Sequence, residues 1–360
     1  MPTLRFTDED WRRTLESFSA WWEGALERPL CSIAVTDDVG LRHRRGFFTN
    51  YPAGMSADEI VECYVPYLEA TRWYGDAFPY VWCNFGPGML AGFLGCRVHS
   101  VTEPSETVWF SPPAPATASS LSLRYDPRNR WWARVLDVTK AFVRRFGDSL
   151  VVGHVDLGGN LDVLASFLGT QELLLELTDE PSSVERLVRE ISALWIRYYD
   201  EQTALLRGAT RGTSAWTPLL SSGTTYMLQS DFSYMISPAM FDRFVMPDLV
   251  AVCERLDHAF YHLDGKGEIP HLDSLLSLER LRGIQWIPGD GQPPPEKWLP
   301  LLKRIRDGGK LCQLFVTPRG ALTIARELGG KGFYFVVNSG LEELPDEESI
   351  RGYLRELQSA

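Results

Sequence analysis

Two His-x-Asp segments carry the clearest chemical potential of this chain. In Ala259-Phe-Tyr-His-Leu-Asp-Gly-Lys-Gly267, His262 and Asp264 stand two residues apart. On an extended strand both side chains leave the same face. The pair ends an apolar run and meets Gly265 and Gly267 before Ile269–Leu278, which reads as a helix. With Asp231 from the preceding strand, these residues suit a divalent cation, since an imidazole and carboxylates with open positions bind zinc, manganese or iron(II). A cation there would activate a thiol, hydroxyl or water. The same residues also suit metal-free acid–base work, with Asp231 and Asp264 splitting their pKa values and His262 as acid or base. A third reading is a hydrogen-bonded cluster at the rim with no chemistry of its own. His154 and Asp156 form the second same-face pair, followed by Gly158-Gly159, which permit close approach of a ligand to the backbone. His154 reads equally well as a packed interior histidine.

Aromatic residues at strand ends suggest an apolar, stacking pocket for a small molecule: Trp82, Phe85 in the loop Asn84-Phe-Gly-Pro-Gly88, Tyr226 and Trp286. Gln313 and Asn338 are candidate polar contacts to the substrate. Asn160 reads as a helix cap. Cys312, inside an apolar run, reads as an inert buried thiol. There is no GxSxG, P-loop, HExxH or dinucleotide-binding GxGxxG pattern.

The elements that must position these residues are strands alternating with helices. Apolar runs occur at Leu30–Val35, Tyr80–Asn84, Leu150–Val155, Thr225–Gln229, Ala259–His262, Ile284–Ile287, Leu311–Val316 and Phe333–Val337. Helical periodicity falls between most of them, at 131–146, 161–168, 182–206, 238–256, 269–278, 300–307 and 320–328. Continuous apolar strands with intervening amphipathic helices predict parallel strands covered on their outer face. Eight such units favour an α/β fold with a single TIM (β/α)8 barrel over an open sheet, and a barrel would gather the polar strand ends on one rim. Residues 1–29 read as an N-terminal helical extension, helical over 7–26, and residues 30–360 as the barrel. Residues 102–119 read as an insertion, with a hairpin around Val108-Trp-Phe110.

Composition narrows the partners. The 360-residue chain is 44% hydrophobic with net charge −11, which argues against nucleic acid or an anionic membrane. Arg42-His-Arg-Arg45 is the one dense basic cluster and reads as a solvated loop. Six cysteines without a CxxC pair, no apolar segment like that of a signal peptide at the start and no run of membrane-spanning length together predict a cytoplasmic protein.

The segment Ser230-Asp-Phe-Ser-Tyr-Met-Ile-Ser-Pro-Ala-Met-Phe-Asp-Arg-Phe-Val-Met-Pro-Asp-Leu249 resembles the acidic strand end and SPxxFxxFVxPxL helix of the uroporphyrinogen decarboxylase superfamily. His262-Leu-Asp-Gly265 stands where that superfamily often carries H-x-C-G, and His154–Ala165 resembles its third-strand segment. The resemblance covers roughly residues 130–355 and implies a TIM barrel with one of two chemistries. One is cofactor-free decarboxylation of porphyrinogen acetates. The other is methyl transfer from a methyl-corrinoid protein to a thiol on zinc held by His-x-Cys and a later Cys. Here the first Cys position is Asp264 and the late one falls near Asn338-Ser339, so thiolate ligation is lost. The paired arginines of the decarboxylase pattern are absent.

The expectation is therefore a methyltransferase-like enzyme moving a methyl or one-carbon group to or from a small substrate, with a corrinoid protein as partner. His262, Asp264 and Asp231 would hold a divalent metal, zinc first, or polarise the acceptor. His154 and Asp156 would assist in catalysis and orientation. The alternatives are a metal-independent decarboxylase or lyase acting on a small carboxylic acid, and a catalytically silent barrel that binds a small molecule. Barrels of this superfamily often pair, which implies a homodimer.

Overall fold

The computed structural model describes residues 4–36, 46–100 and 107–360. The basic cluster at 42–45 and the start of the expected insertion lie outside them. Within the described residues a mixed α/β architecture is built on a seven-stranded sheet ordered β2-β1-β11-β10-β9-β8-β7. Its strands are β1 (Leu30–Thr36), β2 (Thr71–Gly75), β7 (Thr225–Leu228), β8 (His258–Asp264), β9 (Leu281–Ile287), β10 (Leu311–Val316) and β11 (Phe333–Val337). Every ladder in it is parallel except β1 with β2. Two further strands, β3 (Tyr80–Trp82) and β6 (Val151–Gly153), form a separate parallel pair.

All eight expected strands are present, and their parallel pairing explains the unbroken apolar runs: helices bury the face that would otherwise meet water. Among the described residues no ladder joins β3 to β1 or β6 to β7. At the second gap the segment Thr213–Ser221 intervenes. It draws the His154 amide to the Ser214 carbonyl (3.1 Å) and the Tyr80 hydroxyl to the Ala215 carbonyl (2.7 Å). That diversion ends β6 at Gly153, short of the Val155 the apolar run suggested.

Several boundaries move for local reasons. The N-terminal helix spans Asp8–Trp22, capped by Thr7 with Asp10 in a capping box. The single helix expected over 238–256 is two, Pro238–Phe244 and Met246–Arg255, because Pro247 cannot continue the hydrogen-bond ladder. Residues 269–278 begin as a 3-10 turn, Ile269–His271, before the helix Leu272–Ser277. Two capped helices that the apolar periodicity did not single out flank the sheet, Ala57–Ala70 behind Ser56 and Glu347–Gln358 behind Asp346. Of the expected hairpin, Trp109–Ser111 (β5) pairs antiparallel with β4 (Arg97–His99), which precedes the expected insertion.

The strands have a closed end and an open one. Trp11, Phe18, Trp21 and Trp22 of the first helix pack with Leu30, Val151, Met227, Phe260, Leu311 and Tyr334, residues near the strand beginnings, as one apolar cluster. Polar residues therefore gather at the opposite, C-terminal strand ends. No helix among the described residues is long and apolar enough to cross a membrane.

Candidate functional site

Strand β8 sets the site on one face. Phe260 packs against Trp21 at the closed end, His262 follows two residues on, and Asp264 ends the strand. Gly265 then turns the chain with φ of 76°, which a side-chain-bearing residue adopts only under strain, and its amide bonds the Ile287 carbonyl (2.8 Å). Asp231 opens the 3-10 turn after β7 and brings its carboxylate to the same place. Asp231, His262 and Asp264 each offer a ligand atom, and the three atoms lie within 4.8 Å of one another.

His262 Nε2 and Asp264 Oδ2 are 4.0 Å apart, beyond hydrogen-bond range. Ligands of a tetrahedral zinc at its usual bond lengths stand roughly 3.4 Å from each other, so modest side-chain rotation would close the set. His262 Nδ1 lies 2.5 Å from Gln285 Oε1. Burial lowers the His262 pKa, partly offset by Asp264 and by the Gln285 bond.

Around the triad the charge is one-sided. Asp162 receives the backbone N–H groups of Phe232 (2.7 Å), Asp231 (3.1 Å) and Gly159 (3.2 Å), pinning the turn that carries Asp231 to the helix Asn160–Leu168. Burial and then the Asp231 charge push Asp162 upward. Asp231, open to solvent at its edge, is raised by partial desolvation and then by Asp264. Asp156 is pushed up to about 7 by burial and then by Asp231. Glu268, fully buried, is raised well above the usual carboxylate range by burial and then by Asp231, Asp162 and Asp264, and its Oε1 has no hydrogen-bond partner. Among the described residues, the largest charge effects on Asp156, Asp162, Asp231 and Glu268 come from other carboxylates. Clustered carboxylates beside a nitrogen donor are the environment that a divalent cation neutralises, so the donor set fits such an ion.

Two cavities touch the cluster and a third lies nearby. One of about 440 Å³ is walled by Asp162, Asp231, Phe232 and the hairpin residues Val108–Phe110. Another of about 490 Å³ lies between Asp264 and Pro288–Pro295. The third, about 460 Å³, is lined by Trp82, Asn84, Asn338, Ser32, Tyr64 and Trp73 among others. Trp216 separates it from the cluster, 6.1 Å from Trp82 and edge-on to His262 at 5.1 Å between ring centroids.

The expected site residues thus fall in three groups. Asp231, His262 and Asp264 converge, with Asp156 close beneath. Trp82 and Asn338 line the neighbouring cavity. The others lie in the interior. His154 is fully buried, with Nδ1 on the Ser214 carbonyl (2.8 Å) and Nε2 on the Thr203 hydroxyl (2.9 Å), and burial lowers its pKa to about 4. Tyr226 joins the ends of two strands, its hydroxyl donating to the Val155 carbonyl (2.9 Å) and accepting from the Leu157 amide (2.8 Å). Phe85 packs on Phe48, and Trp286 on Trp298. Gln313 is buried behind Gln285 rather than facing a cavity. The Asn160 side chain binds the Phe244 carbonyl (2.9 Å). All six cysteines are free and Cys312 is buried.

The sequence reading did not single out Asp162, Glu268, Gln285 or Trp216. Gln285 left a signal, a lone amide inside the apolar run Gly283-Ile-Gln-Trp-Ile287. Asp162 stands three residues after Gly159, where a carboxylate caps a helix start.

No protein-family model matches the chain, and no curated protein matches it in sequence. Its fold is similar to that of a solved methyltransferase from Methanosarcina mazei, with a TM-score of 0.63 at 13% identity over 96% of this chain and 98% of the other. A B12-independent methionine synthase from Shewanella sp. W3-18-1 aligns at a TM-score of 0.38 and 10% identity, covering 74% of this chain and 73% of the other.

Proposed function

We propose that the protein is an enzyme of methyl or one-carbon transfer on a (β/α)8 barrel, with Asp231, His262 and Asp264 holding a divalent cation, zinc first. The observation that carries this reading is the convergence of one imidazole nitrogen and two carboxylates within 4.8 Å, beside further buried carboxyl groups. The fold shared along nearly the whole chain with a protein described as a methyltransferase supports it. Six parallel strands in the main sheet and the separate parallel pair β3–β6, with the first helix packed near the strand beginnings, support the barrel.

A cation bound there supplies a Lewis acid that makes a coordinated thiol or hydroxyl a nucleophile near neutral pH. The chain's own residues do the rest. Asp162 fixes the turn bearing Asp231 through backbone hydrogen bonds. Asp156, raised to about 7, accepts the proton that the acceptor gives up. The body of a small acceptor would sit against Trp82, Asn84 and Asn338, with its thiol or hydroxyl extending past Trp216, which packs edge-on to His262, toward the cation. The methyl donor is a methyl-corrinoid, carried by a partner protein.

The test combines the zinc-loaded protein with methylcobalamin and a panel of small thiols. Transfer of the methyl group to sulfur, lost in His262→Ala and after chelation, supports the reading; equal turnover in the variant contradicts it. A second reading, a metal-independent lyase acting on a small carboxylic acid, is favoured by Asp156, which its raised pKa leaves able to donate a proton near neutrality. It predicts full activity after chelation.

A further inference from the structure

His262, Gln285 and Gln313 are register partners on three adjacent parallel strands. Neighbours in register point the same way, so the three side chains form one row across β8, β9 and β10. The row is internal: Gln285 and Gln313 are fully buried. Buried amides are stable only when their polar atoms are paired, and here each pairing fixes the next.

The row starts at a group whose polarity is beyond question. The Pro218 carbonyl only accepts, and it lies 3.3 Å from Gln313 Nε2, which donates to it. Gln313 Oε1 therefore faces the other way, where it accepts from the Thr217 hydroxyl (3.2 Å) and from Gln285 Nε2 (2.7 Å). Gln285 Oε1 in turn faces His262 Nδ1. An amide oxygen only accepts, so Nδ1 carries a proton. Reversing both amides would set the Gln313 oxygen against the Pro218 carbonyl and leave that carbonyl unpaired. Reversing Gln285 alone would press two amide oxygens together across 2.7 Å. At the far side of the ring the nearest Asp264 oxygen is 4.0 Å from Nε2, too distant to hold a proton there.

We propose that Gln313 and Gln285 form an amide relay, anchored on the Pro218 carbonyl, that holds the proton of His262 on Nδ1 and presents Nε2 as a bare lone pair toward Asp231 and Asp264. Both glutamines are positioning residues. The relay deepens the metal reading by naming what orients its nitrogen ligand. It concerns the ring itself, however, so its readout needs no metal. A fixed tautomer also suits Nε2 as a base.

The experiment is long-range proton–nitrogen correlation NMR on metal-free protein labelled with ¹⁵N-histidine, the His262 signal assigned by its loss in His262→Gln. The expected result is a His262 ring protonated at Nδ1 and bare at Nε2, the minor form of free imidazole. A ring protonated at Nε2 in the wild-type protein overturns the relay, whatever any variant does. Gln285→Glu, whose buried carboxyl when protonated donates to Gln313 Oε1 as the amide does and keeps its carbonyl against Nδ1, is expected to retain the tautomer. Gln285→Leu removes the acceptor and is expected to release it, and a Leu variant that keeps the wild-type ring signal contradicts the proposal. Zinc titration of the same proteins separates the two claims. Gln285→Leu is expected to lower affinity roughly 10- to 100-fold, with Gln285→Glu restoring it. A wild-type protein with the predicted tautomer and no zinc affinity would sink the metal reading and leave the relay standing.

Discussion

His154-Val-Asp156 and His262-Leu-Asp264 are the same motif in sequence and opposite in physics. Both histidines lie at or near the C-terminal end of a parallel strand, two residues before an aspartate. At His154 both ring nitrogens are occupied, one by the Ser214 carbonyl and one by the Thr203 hydroxyl, and the ring stacks on Tyr199 at 4.6 Å. At His262 one nitrogen is occupied by Gln285 and the other faces carboxylates across a gap. A histidine whose two nitrogens are both satisfied inside the protein has nothing left to offer a ligand. The comparison locates function in the unfilled valence rather than in the residue type.

The largest effect that would sharpen this contrast is on stability. His154→Ala is expected to cost roughly 3–5 kcal/mol, because it removes a buried ring and strands its partners. Denaturant unfolding checks this, and metal content should stay at the wild-type level. The same histidine gives an acid dependence. Its folded pKa is near 4 against 6.5 unfolded, so between those values the unfolded chain binds a proton that the folded one does not. Its contribution to stability therefore falls as pH drops from about 6.5 to about 4.

Asp156 is expected to act with the opposite sign. Its folded pKa, near 7, exceeds the ordinary 3.8, so ionising it opposes folding, increasingly as pH rises from about 4 to about 7. Asp156→Asn keeps an acceptor for the Gly158 amide and removes that charge. Metal-free Asp156→Asn should gain stability over the wild type on the order of 4 kcal/mol at pH 7.5, with the gap closing towards pH 4. A gap that is constant with pH would break the argument.

A smaller effect separates ligands from neighbours. Asp231→Asn is expected to reduce zinc affinity roughly 10- to 100-fold in chelator competition without lowering the unfolding midpoint of the metal-free protein. The smallest concerns the aromatic wall. Trp82→Ala should leave metal affinity within about twofold and raise KM for a small acceptor with little change in kcat, as expected for loss of uniform binding. An unchanged KM would remove that cavity from the account.

The alternation of strands and helices was legible because parallel strands are apolar along their whole length. The convergence of Asp231 with His262 and Asp264 was anticipated from the strand ends, and the structure places the three together. What sequence did not reveal is which polar residues turn inward and stop there. His154 and Gln313 look like site residues until Ser214, Thr203 and Pro218 arrive from distant segments to satisfy them. Strand β2 was missed for a similar reason, since its partial burial leaves no apolar run to read. Glu268 and Asp162 gain their raised pKa values from burial first and then from carboxylates, both of which only folding supplies.

The most direct test is the metal content of purified wild-type protein, His262→Ala and His154→Gln, by inductively coupled plasma mass spectrometry. The account predicts about one equivalent of a divalent metal in the wild type and in His154→Gln, and almost none in His262→Ala. No metal in the wild type, or an equal amount in His262→Ala, would contradict it.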